Sequence, residues 1–218
     1  MNKSSLGVLV LGPDDAGKAA LTGHLLYRWG GLGPRRMVQL WEQKEEHALT
    51  YAQLLECFAD VQESEAAPRR PRWHYRSPKC EVAIAASLSA GTLSSFFPSG
   101  DLTACVMLLI SAAEGEYEAH RELIQKWVCS VCELQVKQIV VCVNKMDSTK
   151  PPRHQPRYDY IHKDIWSCFQ ELGQDPNTVG FLPISALWGD NLQLVGFGVG
   201  SLCLSGWGWG GWQHLQRK

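Results

Sequence analysis

Seven residues near the start of the chain, Gly12-Pro13-Asp14-Asp15-Ala16-Gly17-Lys18, fall in the pattern Gly-x-x-x-x-Gly-Lys. Glycines at that spacing let a loop curl until its N–H groups, and the N-terminus of a following helix, face an anion. The lysine can then reach the outer phosphates of a nucleotide. The loop follows the apolar run "LGVLVL" and precedes a helical pattern from Lys18 to Trp29, which is the strand–loop–helix context such a site requires. Ala19 stands after the lysine, where Ser or Thr would offer a hydroxyl to Mg²⁺.

A second group, Asn144, Lys145 and Asp147 of "VNKMDS", directly follows the apolar run "KQIVVCV". In an Asn-Lys-x-Asp motif the carboxylate accepts hydrogen bonds from guanine N1–H and the exocyclic amine, the lysine packs over the base, and the asparagine supports the loop. Four residues alone specify little. Placed at a strand end after a phosphate loop, in the crevice where open α/β sheets bind ligands, they point to a guanine nucleotide. "PISAL" then puts Ser185, Ala186 and Leu187 where a third loop closes over the base. The expected nucleotide contacts are Gly12, Asp15, Ala16, Gly17, Lys18 and Ala19 for the phosphates, with Asn144, Lys145, Asp147, Ser185, Ala186 and Leu187 for the base.

The elements that must hold these loops are legible as alternation. Strand-like runs "LGVLVL", "CEVAIAA", "ACVMLLI", "KQIVVCV" and "GFLPIS" are separated by helical patterns at Lys18 to Trp29, Glu118 to Leu134 and Tyr158 to Leu172. Continuous apolar strands between helices predict an α/β fold, a mainly parallel sheet with helices on both faces. "VQLWEQKEEHALTYAQLLECFADVQESE" also reads as helical, and the proline- and arginine-rich "EAAPRRPRWHYRSPK" reads as an exposed loop.

Composition narrows the partners. A net charge of -1 gives no electrostatic reason for the whole chain to bind nucleic acid, and 45% hydrophobic content in 218 residues suffices for one sizeable core. The apolar run before the phosphate loop is too short for a signal peptide, and the eight cysteines lie mostly in apolar stretches, so a reduced, cytoplasmic setting is expected. Cys129 and Cys132 have CxxC spacing within a helical pattern, without a second pair that would complete a zinc site. Leu192 to Trp212 carries no charge, but its seven glycines make it a poor membrane helix, and residues 193–218 read as a disordered or loosely packed Gly/Trp-rich tail. His24 and His120 read as surface or packing residues, and Trp127 and Trp166 as core or half-buried.

Longer stretches carry a resemblance. "GKAALTGHLLYRWGGL", "EGEYEA", "VKQIVVCVNKMDSTKPP", "RYDYIHKDI" and "DPNTVGFLPISALWGDN" resemble the GTP-binding domain of eukaryotic translation elongation factor 1-alpha, a translational GTPase. The resemblance runs over residues 3–192. It implies a P-loop GTPase-like fold, GTP or GDP as ligand with Mg²⁺, and the ribosome and a nucleotide-exchange factor as partners. In that family two β-barrel domains follow and help hold aminoacyl-tRNA. No counterpart is recognisable after Leu192, so tRNA delivery is not expected.

The departures from the family are concentrated at the catalytic positions. Ala19 replaces the metal-binding serine, and Ala67 falls at the switch threonine that reaches the metal and the γ-phosphate. Ala86-Ser87-Leu88-Ser89-Ala90 falls on the Asp-Ala-Pro-Gly-His motif, putting Ala86 at the metal-supporting aspartate, Ser89 at the γ-phosphate-sensing glycine and Ala90 at the water-positioning histidine. Phosphoryl transfer depends on positioning and on charge neutralisation, so base recognition is expected to outlast hydrolysis. The second reading is a non-catalytic protein-interaction module, a pseudo-GTPase.

Overall fold

The computed structural model describes residues 4–28, 72–76, 80–86, 103–133, 136, 138–175 and 178–192. The helical reading of residues 38–65, the positions Ala67, Ser89 and Ala90, and the tail 193–218 lie outside them.

Six strands form one sheet: β1 (Ser4–Leu11), β2 (Arg72–Arg76), β3 (Cys80–Ala86), β4 (Thr103–Ser111), β5 (Gln138–Asn144) and β6 (Val179–Pro183). Their order is β2-β3-β1-β4-β5-β6. Four of the pairings are parallel, and β2 joins antiparallel at the edge. Among the described residues the helices are α1 (Lys18–Arg28), α2 (Glu116–Glu133) and α3 (Gln155–Glu171).

Both faces of the sheet are covered, which is why the central stretches of β1, β4 and β5 are continuously apolar. Val8 and Val10 of β1, Met107 and Leu109 of β4 and Cys142 of β5 pack with Leu21, Leu25 and Leu26 of α1. Leu9 and Leu11, one residue out of step, face the opposite layer with Leu108, Ile110 and Val141, under Tyr117, Ile124 and Trp127 of α2 and Ile161, Ile165 and Phe169 of α3. The period of two along a strand sends alternate residues to opposite layers, and each layer holds a helix.

Parallel register then decides where the loops fall. Leu11 pairs with Leu108, Ser111 with Asn144, and Val143 with Pro183. The carboxyl ends of β1, β4, β5 and β6 therefore lie along one rim, and β1 and β4 flank the point where strand order reverses. Open α/β sheets bind their ligands at that rim.

The structure revises parts of the sequence reading. Arg72–Arg76 is a strand, not loop: it pairs with β3 from Arg72 opposite Ala85 to Arg76 opposite Glu81. "RWHYR" alternates charged or polar with aromatic residues, a period-two signal that the prolines at 68, 71 and 78 mask. Helix α3 begins at Gln155 rather than Tyr158, because Pro156 sits in its first turn, where a missing N–H costs nothing. Helix α2 begins two residues before the expected start, at Glu116. Strand β6 ends at Pro183, which leaves Ile184 and Ser185 to the loop that follows.

Candidate functional site

The phosphate loop leaves β1 at Gly12. A Cβ there would lie 2.5 Å from the Leu109 carbonyl oxygen, so the loop can start against the β4 backbone with glycine alone. Gly17, at φ 95°, would drive a Cβ into the Asn144 amide. Asp15 also takes a left-handed conformation, φ 60°, and its side chain is exposed. Lys18 opens α1 and is 8% exposed, its ammonium donating to the carbonyls of Gly12 at 2.7 Å and Pro13 at 2.6 Å. Burial pushes its pKa down, and the carboxylates of Asp14 and Asp15 pull against that. The ammonium is thus placed inside the loop by two hydrogen bonds rather than left to swing.

Asn144, the last residue of β5, is 2% exposed and spans two loops. Its amide nitrogen donates to the Ala16 carbonyl at 2.8 Å, and its amide oxygen accepts from the Ala186 N–H at 2.8 Å. Lys145 follows at φ 60°, before the short 3-10 turn Met146–Ser148. Asp147 on that turn accepts a hydrogen bond from the Ser185 hydroxyl at 2.6 Å, and its other carboxylate oxygen takes the Ser148 hydroxyl at 3.1 Å. The backbone N–H of Trp188 donates back to the Ser185 hydroxyl at 3.2 Å. Ser185 and Ala186 are buried, while Leu187 and Trp188 are exposed at the tip of their loop.

Two features of this loop had no signal in the sequence. His24, on α1, takes the packing role of its two readings, at 4% exposed, and what the sequence did not show is its partner: Nδ1 is 2.8 Å from the Ala186 carbonyl oxygen. Gly189, at φ 81°, lies so close that a Cβ would sit 2.5 Å from His24 Cε1. At the loop's far end Arg153 donates to Asp190 from Nε at 2.9 Å and from a terminal nitrogen at 2.6 Å. The same residue's backbone N–H donates to the Met146 carbonyl at 2.6 Å, joining the two base-side loops. The partners lie 162 and 37 residues apart in the chain, so no local pattern announces them.

The other candidates divide. Ala86 ends β3 with its backbone opposite Val10, near the phosphate loop's entry. Ala19 is exposed on the first turn of α1 and offers no oxygen, so Mg²⁺ has no side-chain ligand at that position. Among the described residues no group of three His, Cys, Asp or Glu side chains could hold a metal ion. Cys129 and Cys132 are free thiols on α2, the helix in which their CxxC spacing falls.

A six-stranded, mainly parallel sheet carrying a phosphate loop after its first strand defines the class: this is an α/β P-loop GTPase-like fold. It is similar to the GTPase-like domain of Ski7 from S. cerevisiae bound to GDP and inorganic phosphate, with TM-score 0.70 and 18% identity over 90% of this chain and 46% of that one. The same Ski7 domain bound to GTP gives 0.67 and 20%, covering 88% of this chain and 45% of that one. Sup35 complexed with GDP gives 0.58 and 20%, covering 87% and 39%. The chain spans less than half the length of each of these. No protein-family model matches the sequence. Among the described residues no helix is long and apolar enough to cross a membrane.

Proposed function

We propose that this chain binds guanine nucleotide, GDP in preference to GTP, and hydrolyses GTP at a negligible rate. One observation carries the reading. Asp147, the residue suited to guanine N1–H and the exocyclic amine, is held by Ser185 at 2.6 Å on a rim that Asn144 ties to the phosphate loop. Base-reading and phosphate-reading groups therefore belong to one hydrogen-bonded frame. The GDP and GTP complexes of the similar solved structures support the same ligand class.

Loss of hydrolysis follows from Ala19 at the metal position and, through the resemblance, from Ala67, Ala86, Ser89 and Ala90. Without a metal shell and a water-orienting group, positioning and charge neutralisation both fail in the transition state. Within the translational class, descent from elongation factor 1-alpha accounts best for "EGEYEA" and "RYDYIHKDI". That descent brings with it, as part of the proposal, a cytoplasmic setting and contact with the ribosome or an exchange factor.

The test is titration with fluorescent GDP and GTP, with and without Mg²⁺, beside Asp147→Asn. Expected is binding that adenine nucleotides do not compete, that Mg²⁺ leaves unchanged, and that weakens about tenfold or more in the variant, as charge-assisted hydrogen bonds to the base are lost. GTP turnover at the rate of an intact family member, abolished by changing Lys18, would refute the inactive reading. No binding by a chain that unfolds cooperatively would favour the protein-interaction module.

A further inference from the structure

The stretch Glu114-Gly115-Glu116-Tyr117-Glu118-Ala119 opens α2, and three of its side chains have distinct partners. Tyr117 is fully buried and its hydroxyl donates to Asp164 of α3. Glu118 accepts two hydrogen bonds from Arg157, at 2.5 and 2.9 Å. Glu116 does not reach α3: its carboxylate takes the Lys145 ammonium at 2.7 Å. That pair is partly shielded, with side chains 38% and 27% exposed.

We infer that Glu116 positions Lys145 over the nucleotide base, so that this ion pair, together with the Asn-Lys-x-Asp motif, sets how tightly the base is held. The inference rests on the guanine-nucleotide reading above and names a residue that reading does not use. Lys145 has a left-handed backbone and a flexible four-carbon stem, and a free stem would lose rotamer freedom each time it lay against a ring. Anchored at its ammonium, the stem presents its methylene groups already in place, and less ordering is left to binding.

Glu116 is suited to be the anchor. It stands in the first turn of α2, where the helix dipole favours a carboxylate, and buried Tyr117 beside it fixes that turn to the core. Burial opposes its charged form, but hydrogen bonds from Lys145 and Ser111 outweigh that and hold the carboxyl below its usual range. The backbone that carries the anchor is thus set by the core rather than by the loop it steadies.

A stem lying on the ring face does not read the ring edge, which gives the proposal a signature. Glu116→Gln should weaken GDP and inosine diphosphate by the same factor, about threefold to fivefold, the range of a partly exposed ion pair. Asp147→Asn should instead change the ratio between those two ligands, because inosine lacks the exocyclic amine. Lys145→Met, which keeps the stem and removes the charge, should lose what Glu116→Gln loses, and the double variant should lose no more. Glu116→Gln should melt with the unaltered protein, and molar salt should erase the difference in affinity between them.

Full affinity in Glu116→Gln, tighter binding, or an undiminished effect of that change on the Lys145→Met background would each overturn the proposal while leaving the guanine-nucleotide reading intact. Failure of the unaltered chain to bind GDP would overturn that reading and this inference with it.

Discussion

Asn144 and Ala16 lie 128 residues apart in the chain, yet the Asn144 amide nitrogen donates to the Ala16 carbonyl at 2.8 Å inside the protein. The same amide's oxygen accepts from Ala186, so one buried side chain joins the phosphate loop to the loop that flanks the base. Replacing Asn144 with Ala leaves a carbonyl and an N–H unpaired in the interior, each costing about 1–3 kcal/mol. The variant should melt several degrees lower and release GDP faster. A variant that melts with the unaltered protein would mean that water substitutes for the amide.

Gly189 is left-handed and packs against the His24 ring. Gly189→Ala meets both backbone strain and overlap, and should destabilise by about 1–3 kcal/mol. Combining it with His24→Ala removes the overlap, so the double variant should lose less than the sum of the two single losses. Additive losses in thermal unfolding would show that the ring is not what excludes a side chain there.

Ala19 predicts indifference to magnesium. The affinity for GDP should change by less than about twofold between chelator and millimolar Mg²⁺, because the hydroxyl that an ion of this kind takes in such loops is missing. Ala19→Ser should introduce a dependence on Mg²⁺. Collapse of GDP binding by the unaltered chain in chelator would reverse the assignment.

Glu118 predicts a pH dependence. Its hydrogen bonds from Arg157 hold the carboxyl down to about 2, from an ordinary value near 4.5. The folded carboxyl thus binds its proton less readily than the unfolded one. Its contribution is present above about pH 4.5 and is lost as pH falls through the folded value. The carboxylate is exposed, so solvent screens the effect and the contribution is small. Glu118→Gln should lower the melting temperature slightly at about pH 6 and leave it unchanged near pH 2. An equal loss at both pH values would exclude the ion pair as its source.

Much of the frame was legible along the chain. The apolar runs Val8 to Leu11 of β1 and Ile139 to Val143 of β5 needed no long-range information, because a strand covered on both faces must be apolar at each position. The Gly12–Lys18 loop and Asn144-Lys145-x-Asp147 were legible for a similar reason: a tight turn and a charged recognition group each demand particular residue types at fixed spacing. The edge strand Arg72–Arg76 was hidden because prolines around it read as loop, and pairing with β3 prevailed over that local signal.

The sequence by itself determined the class of fold, the phosphate loop and the absence of a hydroxyl at Ala19, since these depend on residue type and near-neighbour spacing. Tertiary structure alone decided that His24 belongs beneath the base-side loop, that Arg153 clamps Asp190, and that Glu116 holds Lys145. Parallel strands bring distant loops to one rim, and the hydrogen bonds formed there join residues whose separation along the chain carries no periodic trace.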